Sequence, residues 1–223
     1  MNEVLNIDCM EYMADIPDNW FELAIVDIQY GINQGGGTNH TRGKLAVSKD
    51  YKDYDDSETM SEEYHRELRR VSKNQIMWGA NHFISKLGAI DSSCWIVWDK
   101  ENGNTDFADC ELAWTSFLTA VRIFKFRWQG MLQGNMKKKE SRIHPNQKPV
   151  ALYKWLLKNY AKPNDKILDT HIGSGSIRIA CHDMGFDLYG CELDADYWQA
   201  QEDRFNRHIK QDELFTFEGG DIK

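Results

Sequence analysis

Ile167-Leu168-Asp169-Thr170-His171-Ile172-Gly173-Ser174-Gly175-Ser176, followed by Leu188-Tyr189-Gly190-Cys191-Glu192, is the stretch that decides the fold of this chain. Its first part reads as an apolar strand running into a glycine turn and a helix, its second as another strand ending in an acid. A βαβ unit of this kind builds a nucleoside pocket. The glycines let backbone approach the ligand, and a carboxylate about 20 residues on accepts hydrogen bonds from ribose hydroxyls. Glu192 has that spacing from Gly173. Arg178 stands where the dinucleotide pattern has its third glycine, the position at which a pyrophosphate needs close helix approach. The expected ligand is therefore a nucleoside without phosphates.

Working outward, Phe21-Glu22-Leu23-Ala24-Ile25-Val26 is an apolar strand that ends in Asp27-Ile28-Gln29-Tyr30-Gly31. Ligands of open α/β sheets sit beyond the carboxyl ends of strands, so a carboxylate and an aromatic ring at that edge are well placed for chemistry. Short apolar runs alternate with helical stretches along the rest of the chain. Strands are expected at Val4–Ile7, 22–27, Gln75–Trp78, Cys94–Trp98 and, as a hairpin, across 111–127; helices are expected at 9–15, 61–72 and 149–160. The pattern is α/β with a mostly parallel sheet. Residues 31–58 and 129–147 show no steady period. Loops of that length are functional or disordered, and the first follows Asp27 to Tyr30 closely enough to act as a lid or substrate-contacting arm.

The 223 residues fit one α/β domain. A net charge of −8, from 27 basic and 35 acidic residues, argues by itself against a nucleic-acid binder. Its distribution argues the other way. Arg122, Lys125, Arg127, Lys137, Lys138, Lys139, Arg142 and Lys148 face only Glu140 within 122–148, interleaved with Phe124, Phe126, Trp128 and Met131. Cations beside rings suit phosphate contacts beside base stacking, although a solvated face gives the same pattern. The five cysteines form no Cys-x-x-Cys pair, as expected of reduced thiols, and no metal site is implied. Neither a signal pattern nor an 18-residue apolar run is present, so the expected setting is cytoplasmic, with no membrane partner.

With these residues in view, the chain resembles the β-class amino-methylating DNA methyltransferases that use S-adenosylmethionine. Asp27-Ile28-Gln29-Tyr30 is similar to their catalytic Asp-Pro-Pro-Tyr, Asp169 to Ser176 to their Asp-Pro-Phe-x-Gly-Ser-Gly-Thr cofactor motif, and His144-Pro145-Asn146-Gln147-Lys148-Pro149 to the segment preceding it. The order of the motifs is that of the β class. The resemblance implies a circularly permuted Rossmann-like methyltransferase domain, a mostly parallel sheet with an antiparallel hairpin at one edge, in which the N-terminal strand lies beside the strand Leu188 to Glu192.

It also implies roles. Asp8 would lie at the adenine of the cofactor and Glu192 at its ribose. Asp27, Asp169, His171, Gly173, Ser174 and Gly175 would line the rest, and Lys148 would meet the methionine carboxylate. The Asp27 carboxylate and the Ile28 carbonyl would accept the two hydrogens of an exocyclic amine while Tyr30 stacks on the base, flipped out of duplex DNA. Ile28 and Gln29 replace both prolines of the catalytic turn, so that turn is expected to be less rigid; Thr170 and His171 replace Pro and Phe, with His171 taking over the packing role. Asp27 favours adenine N6 by analogy, with cytosine N4 as the alternative. The missing prolines and acidic charge leave open an inactive cofactor-binding DNA-binding protein, and the same chemistry would serve RNA or a protein glutamine. With no large recognition insert, a short or relaxed target or a homodimer is expected.

Overall fold

The computed structural model describes residues 1–32, 57–88, 91–103, 108–129, 132–137 and 139–218, with side chains as far as 211. The long loop after Tyr30, with Arg42, Lys44 and Lys49, thus lies mostly outside the described residues, as do Lys138 and Met131. Its two ends are joined by a β-bridge between Tyr30 and Thr59.

Strands β1 (Asn2–Leu5), β2 (Phe21–Val26), β3 (Ser72–Trp78), β4 (Ile96–Asp99), β5 (Cys110–Thr115), β6 (Arg122–Lys125), β9 (Lys166–Asp169) and β10 (Asp187–Cys191) form one sheet in the order β1-β10-β9-β2-β3-β5-β4-β6. A two-residue hairpin, β7 (Trp128–Gln129) with β8 (Leu132–Gln133), stands apart from it. Only β5 runs against its neighbours in the main sheet, pairing antiparallel with both β3 and β4. β1 lies parallel to β10, Asn2 opposite Leu188 and Leu5 opposite Cys191, so the first strand of the chain extends the sheet beside the last. This is the permuted arrangement expected from the motif order.

The expected hairpin across 111–127 is corrected. β5 and β6 do not pair, because β4 lies between them, parallel to β6 from Ile96–Arg122 to Asp99–Lys125. The antiparallel hairpin is β4–β5, one strand earlier. Short apolar runs give strand existence but carry no information about which neighbour they pair with. The first strand is likewise displaced, to Asn2–Leu5, because Asn6 turns out of the ladder to donate its side-chain amide to the Glu192 and Leu193 carbonyls.

Alternation along the strands explains the three layers. Leu23, Ile25, Ile76, Trp78, Ile167 and Ala113 face a core completed by helices α3 (Val150–Tyr160) and α4 (Ser176–Met184). Ala24, Val26, Met77, Leu168 and Trp114 face the other way, against α1 (Cys9–Ala14) and α2 (Glu62–Val71). Both faces of the central strands are therefore covered, as parallel sheets require. Local chemistry sets the helix starts: Asp8 caps α1 by accepting from the Met10 and Glu11 amides, and Ser61 caps α2 through the Tyr64 amide. The last helix, α5 (Ala195–Glu218), is anchored to β1 by the Trp198 indole, which donates to the Val4 carbonyl.

The aromatic residues interleaved with the basic cluster turn inward. Phe124 packs on Trp155 of α3 at 5.5 Å and on Phe126 at 5.9 Å. Trp128 is buried, donating its indole N–H to the Gln147 carbonyl. These rings hold the 128–148 segment to the core instead of offering faces for base stacking, whereas Arg122, Lys125, Arg127, Lys137 and Lys139 remain exposed.

Gly190, in the middle of β10, is a packing requirement. A Cβ there would come within 2.6 Å of Ile172 Cδ1 and 2.7 Å of the Asp169 carbonyl oxygen. Gly190→Ala is expected to destabilise the protein by about 1–3 kcal/mol in denaturant titrations, and to displace the glycine turn that Ile172 opens.

Candidate active site

Strands β10, β9 and β2 are consecutive in the sheet, and their carboxyl ends carry Glu192, Asp169 and Asp27. The chain leaves β9 toward one side and β2 toward the other, so these acids flank a topological switch point. Between β9 and α4 the turn 172–175 is built on two left-handed glycines, Gly173 at φ 49° and Gly175 at φ 70°. Glu192 fastens it: its carboxylate accepts the Gly173 amide at 2.8 Å and the Asp194 amide at 3.0 Å. Ser174 is buried, its carbonyl accepting from Arg204, whose guanidinium also reaches Ser176 Oγ and Glu140. Arg178 is paired with Gln201 and Glu202 of α5, and Gln201 in turn packs against Gly175.

Asp169 accepts the His171 amide at 2.9 Å, and burial pushes its carboxyl up to about 8. His171 does take a packing position, edge-on to Tyr64 with ring centroids 5.6 Å apart, and its Nδ1 lies 2.9 Å from Thr170 Oγ1, itself 2.6 Å from the Tyr64 hydroxyl. A hydrogen-bonded chain from α2 thus fixes the residues that replace Pro and Phe. Asp8 sits beyond β1, with one oxygen spent on capping α1.

The tetrapeptide Asp27 to Tyr30 closes on Asp27. The Tyr30 hydroxyl donates to Asp27 Oδ1 at 2.8 Å, and Lys148 Nζ lies 2.5 Å from Asp27 Oδ2 and 3.1 Å from the Tyr30 hydroxyl. Ile28 is buried and Gln29 is half-buried. One face of the Tyr30 ring stacks on exposed His82, at 5.2 Å and 15°. Room for that ring depends on Gly79, where a Cβ would come within 2.1 Å of Tyr30 Cε1. Two side-chain anchors on Asp27 and Tyr30 therefore do the stiffening that prolines would do through the backbone.

Lys148, expected at a methionine carboxylate, has its ammonium committed to Asp27 and, at 3.1 Å, to Glu111 Oε2. Glu111 in turn meets Lys100 Nζ at 2.5 Å. Burial disfavours the Glu111 charge, but Lys148 and Lys100 outweigh it and bring the carboxyl down to about 2. Burial raises Asp27, against the pull of Lys148 and the Tyr30 hydroxyl. Burial lowers Lys148, but Asp27 and Glu111 outweigh that and hold it protonated. Glu111, Lys100, His82 and the Glu140–Arg204 pair were not singled out by sequence reasoning. The one available signal was a lone acid opening the apolar run Leu112-Ala113-Trp114.

The site suits a cationic adenosyl ligand. Acids converge on a turn that holds the half-buried Gly173, which puts no side chain between its backbone and an incoming group, and the neighbouring lysine is already neutralised. Such a lining accepts a sulfonium and ribose hydroxyls, and it repels a phosphate.

Three histidines around this region, His65 buried and His144 and His171 half-buried, are held in the neutral form. Burial holds His65, His144 and His171 down to about 4, helped at His65 by Arg69 and Lys86 and at His144 by Lys148. His65 is fully buried, stacks on Phe83, and neither ring nitrogen has a hydrogen-bond partner. Below pH ~6.5 the unfolded chain binds protons that the folded chain refuses until pH ~4, so stability falls as pH drops through that window. Replacing the ring by His65→Phe is expected to recover roughly 2 kcal/mol of this loss at pH ~4.5 in thermal or denaturant melts compared with pH ~7.5.

Residues 38–203 match the family model described as DNA methylase, of the N6/N4 methyltransferase type. The Type II methyltransferase M.HinfI of Haemophilus influenzae is 25% identical over 94% of this chain and 69% of its own length. M.BglII of Bacillus subtilis is 24% identical over 88% and 67%. Among solved structures, the M1.HpyAVI–SAM complex superposes with a TM-score of 0.57 at 19% identity, covering 92% of this chain and all (100%) of the other. The cytosine-N4-specific PvuII DNA methyltransferase gives a TM-score of 0.60 at 11% identity, covering 91% and 86%. These last two likenesses bear on the fold alone. The family match spans most of the chain and includes the cofactor turn, so this protein belongs to the N6/N4 amino-methylating DNA methylase family.

Proposed function

We propose that this DNA methylase transfers a methyl group from S-adenosylmethionine to the exocyclic N6 of an adenine flipped out of duplex DNA. The observation that carries the reading is the Asp27 carboxylate, fixed by Tyr30 and Lys148 at the end of β2, one strand from the cofactor turn. An exocyclic amine is a poor nucleophile because its lone pair is delocalised into the ring, so the site must favour the pyramidal form at the transition state. Asp27 and the Ile28 carbonyl accept the two amino hydrogens and turn the lone pair out of the ring plane. Tyr30 stacks on the base and offsets part of the few kcal/mol lost on unstacking. The surplus proton left on nitrogen after transfer passes to Asp27.

S-adenosylmethionine supplies the methyl in activated form, on a sulfonium. Glu192 and Asp8 bind its ribose and adenine, while Asp169, His171, Gly173, Ser174 and Gly175 shape the turn around the remainder. An aspartate at position 27 favours adenine over cytosine N4, by analogy with the family. No helix among the described residues is long and apolar enough to cross a membrane, and a DNA substrate favours a cytoplasmic setting for the reaction. In the sequence, the candidate recognition segments are residues 31–58 and 129–147, and their small size favours a short or relaxed target or two copies acting together.

Digesting DNA treated with labelled cofactor and weighing the modified nucleoside tests substrate and base together. N6-methyl-2′-deoxyadenosine supports the reading, N4-methyl-2′-deoxycytidine redirects the base, and label on RNA or protein instead of DNA overturns it. Asp27→Ala is expected to abolish transfer with cofactor affinity retained. Glu192→Ala should weaken cofactor binding by about 1.5–3 kcal/mol, since a charged hydrogen-bond acceptor is lost. Equal effects of the two on binding would contradict this division of labour.

Lys137 and Lys139 stand exposed beside the site-bearing segment. Neutralising both is expected to weaken DNA binding and flatten the log–log salt dependence by up to about two units of slope, measured by fluorescence anisotropy.

A further inference from the structure

Glu111 belongs to none of the motifs. It lies on β5, the strand that runs against the rest of the sheet, and reaches the catalytic group only through Lys148. The charges alternate: Lys100 Nζ to Glu111 Oε1 is 2.5 Å, Glu111 Oε2 to Lys148 Nζ 3.1 Å, and Lys148 Nζ to Asp27 Oδ2 2.5 Å. The Lys148 side chain is only 3% exposed, so its charge is balanced by these two carboxylates, with the Tyr30 hydroxyl at 3.1 Å and the Tyr30 and Trp78 rings each 5.6 Å from Nζ as its neutral neighbours.

Resting on the methyl-transfer reading above, we infer that Glu111 is a positioning residue for catalysis: by sharing the Lys148 ammonium it leaves Asp27 a strong hydrogen-bond acceptor for the substrate amine. An ammonium directed at Asp27 alone would hold the carboxylate in place but drain its acceptor strength, which follows its affinity for a proton. A site without the ammonium would let the buried carboxylate protonate. Two anions on one cation give the intermediate condition, and Lys100 prevents Glu111 from taking Lys148 for itself.

The other groups facing this chain are the Tyr30 hydroxyl on Asp27, Tyr153 from α3, Asp169 from β9, Glu192 beyond β10, and His144 from the segment before Lys148. Burial holds Tyr30, Tyr153 and His144 uncharged near neutrality. They do not replace Glu111 as a second anion on the ammonium.

The test compares kcat against pH on duplex DNA for the full chain and its variants, with cofactor affinity measured separately by calorimetry. Glu111→Gln is expected to lower kcat by about tenfold to a hundredfold. It should also move the acid limb down by about one pH unit, because the anion that raises Asp27 is gone. The cofactor dissociation constant should stay as in the wild type, and Glu111→Asp should restore the profile. Lys100→Gln removes a cation and should move the acid limb the opposite way. A folded, cofactor-binding Glu111→Gln protein with an unmoved profile overturns the inference, as does a shift of both variants in one direction. Should Glu111→Gln fail to fold, Lys100→Gln decides: an upward shift supports the chain and an unmoved limb refutes it. A wild type that transfers no label to DNA overturns the functional reading and this inference with it, whereas an active wild type with an unmoved Glu111→Gln profile overturns this inference alone.

Discussion

The Lys148 ammonium, buried between Asp27 and Glu111, is the interaction on which the arrangement of the catalytic end depends. A charge taken out of water is costly unless its partners are close and well oriented, and removing one partner costs more than the pair contributes. Lys148 therefore fixes the relative positions of everything that holds it. Asp27 comes from the end of β2, Glu111 from β5 and Lys148 from the segment before α3. Tyr30 is tied to the same point through its hydroxyl. Elements distant in the chain converge because one cation needs all of them.

The rest of the site follows a second constraint, the parallel order β10-β9-β2. Parallel strands end on one side of the sheet, so an acid at the end of each becomes part of a single cluster. Coulomb repulsion within that cluster would be severe if every member were ionised. Burial and the neighbouring Asp27 and Glu192 push Asp169 toward the neutral form, and burial raises Glu192 as well, against the opposing pull of the Asp194 and Gly173 amides. The acids thus perform different tasks with the same functional group. Asp27 is held beside a cation at the end of β2. Glu192 holds the turn, and Asp169 anchors the residue that follows it through the His171 amide.

The basic cluster illustrates how composition misleads without geometry. Its cations looked like one surface, yet Lys148 turns into the catalytic centre and Arg142 lies over the Trp128 ring. The aromatics between them pack on α3 because alternation along β6 and β7 places a large apolar side chain against Trp155 and the core. What remains on the surface is the outer set of lysines and arginines. The same segment is tied to the cofactor turn by Glu140, which meets Arg204 at 2.8 Å and caps α3 through the Val150 amide.

Much of this was legible in the residues themselves. The glycine turn, the acid spaced from it, the strand ending at Asp27 and the order of these motifs are local or nearly local features, fixed by backbone conformation and hydrophobic period. They identified the α/β class, the permutation, and the main helices and strands. Strand pairing was not legible: β4 inserts between β5 and β6 because pairing partners are chosen by the whole sheet, not by a strand's own sequence. Nor was Glu111, whose importance comes from a lysine that follows it by many residues and reaches it only in the folded chain. The sequence by itself determined which chemical groups stand at the strand ends. Tertiary structure decided which charges neutralise which, because ion pairing in a buried site depends on distances that only the packed sheet sets.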